Sequence, residues 1–205
     1  MKILGHQSLH EPGEPLEYAY FPNRGMISIV IEISDGRTLE VGVVTKKGFA
    51  GASLARQVTY PYRLICHPPV DGFRMKAEAL QQILPSAPGL RSRLSRYANF
   101  QCLRVSQIAA CNRFHEIEQR LARWLLMSQD RVGSASLPFT HEFLASMLGT
   151  GPSDAKSGRL PAGNWVMLST PSNLPHIGYQ VQLLAGAARK TMGAEAPWFV
   201  ENERI

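Results

Sequence analysis

Sulfur ligands are scarce in this 205-residue chain: Cys66, Cys102 and Cys111 are its only cysteines, odd in number and widely spaced. That excludes a disulfide framework and a zinc site of paired CxxC motifs, and it leaves an iron–sulfur centre short of its four thiolates. The three are expected to act as small apolar residues. No apolar run reaches the roughly 18 residues of a membrane span. Residues 1–11 carry His and Glu where a secretion signal needs an apolar stretch, so the cytoplasm is the default expectation. Catalytic signatures are missing as well. No GxSxG, P-loop or GxGxxG context occurs. His115-Glu-Ile-Glu and His141-Glu-Phe-Leu lack the second histidine of a zinc-binding HExxH helix. His6, His10 and His67 are not spaced as the H-x-H pair of a metal-dependent cupin, although a cupin-like metal enzyme stays as an alternative. The expectation is no enzyme, no cofactor and no metal.

What is present is a globular composition, 44% hydrophobic and 19% charged, with a net charge of +6. The charge is uneven. From Arg91 to Arg131 there are eight arginines against three acids, Glu116, Glu118 and Asp130. Such a surplus is either a solvated helix face or a potential aimed at a phosphate backbone.

Residues 1 to about 76 read as strands. Met26–Ile33 and Thr38–Thr45 are rich in β-branched residues, with Ser34-Asp-Gly-Arg37 between them as a tight hairpin turn. Gly25, Gly48 and Gly51 punctuate further turns. Arg63–Cys66 and Gly72–Met75 are later strands. Short strands without intervening helices point to a sandwich, barrel or jelly roll.

The pattern changes near Ala77. A short helix, Ala77–Leu84, is broken by Pro85 and Pro88. Leu90–Cys111 then runs without Pro or Gly, and Leu94, Ala98, Gln101, Val105 and Ile108 repeat every four and three residues, the seam of two paired helices. Gln101 would fix register inside such a dimer. The alternative is a helix lying on its own domain's sheet. Asn112 is expected to cap a further helix through Asp130, whose stripe is Ile117, Leu121, Trp124 and Leu125. A small-residue loop, Gly133–Ser136, follows. Thr140 then caps a helix from His141 to Leu148 that Gly149 ends.

Several stretches carry a family resemblance. Tyr20-Phe-Pro-Asn-Arg-Gly-Met-Ile-Ser28, Asp35-Gly36, Glu40-Val-Gly42 and Gly48-Phe-Ala-Gly51 resemble the sensor domain of Crp/Fnr-type regulators. Cys111-Asn-Arg-Phe-His115, Glu118-Gln-Arg-Leu-Ala-Arg-Trp-Leu-Leu-Met127 and Asp130-Arg131 resemble the start of their DNA-binding domain. Thr140-His-Glu-Phe-Leu-Ala-Ser-Met-Leu-Gly149 resembles the first helix of its helix-turn-helix. The resemblance implies an α+β chain: a jelly-roll sensor at 1–86, a dimerisation helix at 88–111, and the first part of a winged-helix DNA-binding domain at 112–149. It implies a cytoplasmic homodimer that binds double-stranded DNA and regulates transcription, with a small-molecule effector. The dimer interface would be Leu94, Ala98, Gln101, Val105 and Ile108. DNA would be met by Arg113, Arg120, Arg123, Thr140 and His141, and, where the segment after Gly149 is a diverged recognition element, by Ser153, Lys156 and Arg159.

The chain also departs from the family. It begins late, which implies that the first part of the jelly roll is missing. In nucleotide-binding members a Gly-Glu pair holds the ribose, and an Arg followed by Ser or Thr and Ala holds the cyclic phosphate. Here Gly51-Ala52 lacks the Glu, and Arg63 is followed by Leu64 and Ile65. Gly51, Ala52 and Arg63 are therefore the effector-pocket candidates, and a cyclic nucleotide is not the expected effector. After Gly149 the resemblance stops. Residues 150–205 contain six Gly and five Pro and read as a divergent tail, in which only Val181–Lys190 is helical. This predicts either an out-of-register continuation, as a frameshift produces, or a diverged recognition element. A partner that keeps the fold and the dimer but has lost specific DNA binding is the matching functional alternative.

Overall fold

A computed structural model of the chain describes residues 1–5, 7–51, 60–66, 69–132, 138–139, 141–150 and 177–178. It divides into two compact units, Met1–Ala110 and Cys111–Ile205.

The first unit is built on two antiparallel sheets. Strands β1 (Lys2–Ile3), β7 (Val70–Lys76) and β3 (Tyr18–Arg24) form one, in the order β1-β7-β3. Strands β2 (Ser8–His10), β6 (Arg63–Cys66), β4 (Ile27–Glu32) and β5 (Thr38–Val44) form the other, in the order β2-β6-β4-β5. The β4–β5 hairpin closes where the sequence places it. Gly36 takes φ +81°, Asp35 Oδ1 accepts the Arg37 N–H at 3.0 Å, and Ile33 N–H donates to Arg37 O at 3.0 Å. A bulge between Ile29 and Val30 shifts the register opposite β5, pairing Ile29 with Gly42 but Val30 with Glu40. The strands bury a common apolar cluster that includes Tyr20, Ile27, Val44, Leu64, Cys66 and Val70. Burial pushes the Cys66 thiol up to about 12, so it sits there as an uncharged apolar group.

Helix α1 (Ala77–Ile83) follows β7 directly and sends Leu80 into this cluster. A short 3-10 turn, Leu84–Ser86, leads into the long helix α2 (Pro88–Phe114). Proline at the first turn of α2 leaves no helical hydrogen bond unmade. α2 runs through Asn112, the expected cap of the next helix, and ends at Phe114. Helix α3 (Ile117–Val132) begins after a break at His115 and Glu116. Gln119 Oε1 accepts the Glu116 N–H at 3.1 Å, so the third residue of α3 reaches back to cap its start.

In the second unit α3 is followed by β8 (Pro138–Phe139), helix α4 (His141–Met147) and β9 (Ile177–Gly178), which pairs antiparallel with β8. Leu121, Trp124 and Leu125 of the predicted stripe are buried, and Ile117 is half-buried. Trp124 meets Phe139 edge-on at 5.0 Å and Phe143 at 5.8 Å between ring centroids.

Candidate nucleic-acid interface and sensor pocket

Helix α4 ends in a complete set of capping bonds. Gly149 takes φ +69°, a conformation that favours glycine, at the residue just past the helix. Thr150 N–H donates to Ala145 O at 3.0 Å and Gly149 N–H to Ser146 O at 3.4 Å. These are the paired bonds of a Schellman cap, which turns the chain sharply away from the helix axis. Thr150 Oγ1 adds a bond to Ala145 O at 3.2 Å. The turn is further held from α3, where Arg120 Nη2 donates to Leu148 O. A helix, a tight turn fixed at both ends and a second helix packed across them make the scaffold on which a DNA-reading segment is mounted.

The expected phosphate-contacting arginines part company here. Arg113, in the last turn of α2, is exposed, with its guanidinium 5.9 Å from the Phe114 ring centroid. Arg123 is only 8% exposed, and its Nη1 lies 3.9 Å from Met127 Sδ. Arg120 is half-buried and committed to Leu148 O. Both share α3 with the buried Leu121 and Trp124, and neither side chain is fully exposed. The charge count registered them as arginines and could not register which side of α3 they occupy. His141 opens α4. Thr140, Ser153, Lys156 and Arg159 lie outside the described residues, as does the helix expected at Val181–Lys190.

Of the five residues of the expected helix seam, four are buried or half-buried within the single chain. Leu94 packs against the sheet core. Ala98 is half-buried, Ile108 is buried, and of the five only Val105 is exposed. Gln101 Nε2 donates to Tyr97 Oη at 2.5 Å and lies 3.3 Å from Val43 O. Arg104, 7% exposed, donates to the same carbonyl at 3.0 Å. The polar residue taken for a register device is thus a bond between α2 and β5. Tyr97 closes the contact: its ring lies 5.4 Å from that of Phe49, and a Cβ on Gly48 would stand 2.1 Å from its hydroxyl. The face of α2 turned outward carries Leu103, 70% exposed, Phe114, 78% exposed, and exposed Asn99 and Ala110.

The pocket candidates fare as follows. Arg63 bonds two carboxylates, Glu11 at 2.7 Å from its Nε and Glu32 at 3.2 Å from its Nη2. The guanidinium is thus engaged by two carboxylates. Gly51 is buried, with φ +124°. Ala52 lies outside the described residues. Among the described residues no three of His, Cys, Asp and Glu come together as metal donors. Among them, too, no helix is long and apolar enough to cross a membrane.

The family model of the Crp-like helix-turn-helix domain matches residues 119–155. The match begins in α3, passes through the Gly149 turn and ends at Ala155, so the likeness runs six residues beyond Gly149, where the sequence reading had ended it. In fold, the chain is similar to solved Crp/Fnr-family regulators. A putative Crp/Fnr-family transcriptional regulator from Eubacterium rectale superposes with a TM-score of 0.74 at 15% identity, over 92% of this chain and 88% of that one. A CRP-family transcriptional regulator from Thermus thermophilus gives 0.73 at 17% identity, over 95% and 97%. The c-di-GMP-responsive global regulator CLP of Xanthomonas campestris gives 0.69 at 20% identity, over 87% and 92%. No curated relative matches the chain in sequence.

Proposed function

We propose that this chain is a homodimeric, cytoplasmic transcription regulator of the Crp/Fnr type that binds double-stranded DNA through its helix-turn-helix segment. The observation that carries the reading is the capped turn at Gly149, lying inside the stretch that matches the Crp-like motif. The reading segment is residues 150–159, with Ser153, Lys156 and Arg159 facing bases or phosphates. Arg113 supplies a phosphate contact from the end of α2, while Arg120 and Arg123 serve the protein's own packing. The units divide as sensor (1–86), long helix (88–111), helix-turn-helix (112–149) and tail (150–205).

The dimer forms through the outward stripe of α2, Asn99, Leu103, Ala110 and Phe114, whose spacings of four, seven and four residues keep them on one helix face. Large apolar side chains left this exposed on a helix favour a partner helix. The sensor does not bind a cyclic nucleotide, because Arg63 is already engaged by Glu11 and Glu32. The chain is not an enzyme.

Anisotropy of a labelled 30-base-pair duplex of random sequence tests the nucleic-acid part. Affinity is expected to fall steeply and linearly with salt on logarithmic axes, because bound phosphates release counterions. A salt-independent affinity, or none, would refute it.

A further inference from the structure

The Arg120 guanidinium sits where stability alone does not favour it. It is half-buried, and its buried Nε has no hydrogen-bond partner among the described residues. Burial and the neighbouring Arg123 both lower its pKa, the signature of a cation placed beside a cation away from water. Such placement costs free energy unless something offsets it. The offset on view is one bond, to Leu148 O at the carboxyl end of α4, where the helix dipole is negative. The Schellman bonds at that end take the carbonyls of Ala145 and Ser146. Arg120 takes that of Leu148, the residue immediately before the positive-φ glycine.

We infer that Arg120 is a positioning residue for DNA reading: by tying α3 to the last carbonyl before Gly149, it fixes the direction in which the chain leaves α4 towards the reading segment. This rests on the DNA-binding function proposed above. Arg120 touches no base and no phosphate in this role. It acts through the turn, so its loss blurs base discrimination and leaves sequence-independent attraction to the backbone in place.

The test uses the full-length protein, a duplex selected by wild type from a random pool, and a shuffled version of that duplex. For Arg120→Met the preference for the selected over the shuffled duplex should fall at least tenfold, while affinity for the shuffled duplex changes less than threefold. Arg120→Lys keeps the charge but loses the planar fork, so it should recover part of the preference and stay threefold or more below wild type. Gly149→Ala, which strains the same turn from its other side, should reproduce the Met phenotype. A role confined to stability would instead lower both affinities together, in step with the folded fraction. Should Arg120→Met fail to fold, Arg120→Lys decides alone. A folded variant whose preference stays within twofold of wild type overturns the inference and leaves the function standing. A wild type that selects no motif overturns both.

Discussion

The unit from Met1 to Ala110 and the stretch from Cys111 to Thr150 each set an arginine, buried in the first and half-buried in the second, on a backbone carbonyl, but they do so on different foundations. In the first, Arg104 of α2 donates to Val43 O of β5, and Gln101, Tyr97 and Phe49 support the same contact. In the second, Arg120 of α3 donates to Leu148 O beyond the end of α4, and the same unit holds the aromatic group Trp124, Phe139 and Phe143. Redundant contacts make the first arrangement tolerant of a single loss. In the second, the turn is closed by the capping bonds of Gly149 and Thr150, and Arg120 adds one bond from α3. A sensor unit can be built to hold, whereas a reading unit must set one direction, and that is where single substitutions are expected to cost function most.

Substitution of Trp124 by Ala should give the largest effect. Removing a buried aromatic typically costs about 3–5 kcal/mol, and the loss should fall on the second unit. Calorimetry of the full chain should show its transition lowered and that of the sheet unit unmoved. A uniform shift of one transition would mean that the two units melt together. The two faces of α2 come next. Leu103→Glu puts a charge into the proposed dimer stripe and should give monomers in sedimentation at micromolar concentration with the sensor transition intact. Leu94→Glu, directed at the sheet core, should destabilise the sensor unit instead. If Leu94→Glu dissociates the dimer and Leu103→Glu does not, the seam lies where the sequence spacing first placed it.

Gly48→Ala probes the latch between α2 and the sheet. The added methyl overlaps Tyr97, and overpacking of this kind costs about 1–3 kcal/mol; denaturant unfolding followed by tyrosine fluorescence should register it, and Tyr97→Leu should relieve it. The smallest effect concerns Glu11. A hydrogen bond from Ser8, reinforced by Arg63, holds its carboxyl below the ordinary value. A carboxyl lowered in the folded state adds stability above its unfolded pKa and loses it as pH falls through the folded value. Glu11→Gln should therefore cost less than about 1 kcal/mol near neutrality, and the difference from wild type should vanish in acid. A difference that persists in acid would point to packing.

Much of the sheet unit was legible in the sequence. The β4–β5 hairpin, β6 and the switch to helix at Ala77 follow from β-branched runs, Asp35-Gly36 and the two prolines. On α2 a repeat of fours and threes marks an apolar face without naming what covers it. Leu94, Ala98 and Ile108 fit a neighbouring sheet as well as a second helix, and only Gln101's bond to Val43 O discriminates. Arg120 and Arg123 were legible as charge but not as direction, since helical spacing puts them beside the apolar stripe of α3 as readily as in solvent. The cap at Gly149 was readable because one glycine after an apolar helical stretch has few other uses. The end of the resemblance was placed too early: the family match runs to Ala155, six residues past Gly149.

The central claim is that the capped turn at Gly149 serves sequence-specific DNA binding by a dimer. Selection of duplexes from a random pool by the full-length protein, followed by sequencing, tests it most directly. Enrichment of a two-fold symmetric motif with half-sites about one helical turn apart is the predicted result. Binding that persists without any enriched motif would contradict it and would favour the out-of-register tail and a partner without specific DNA binding.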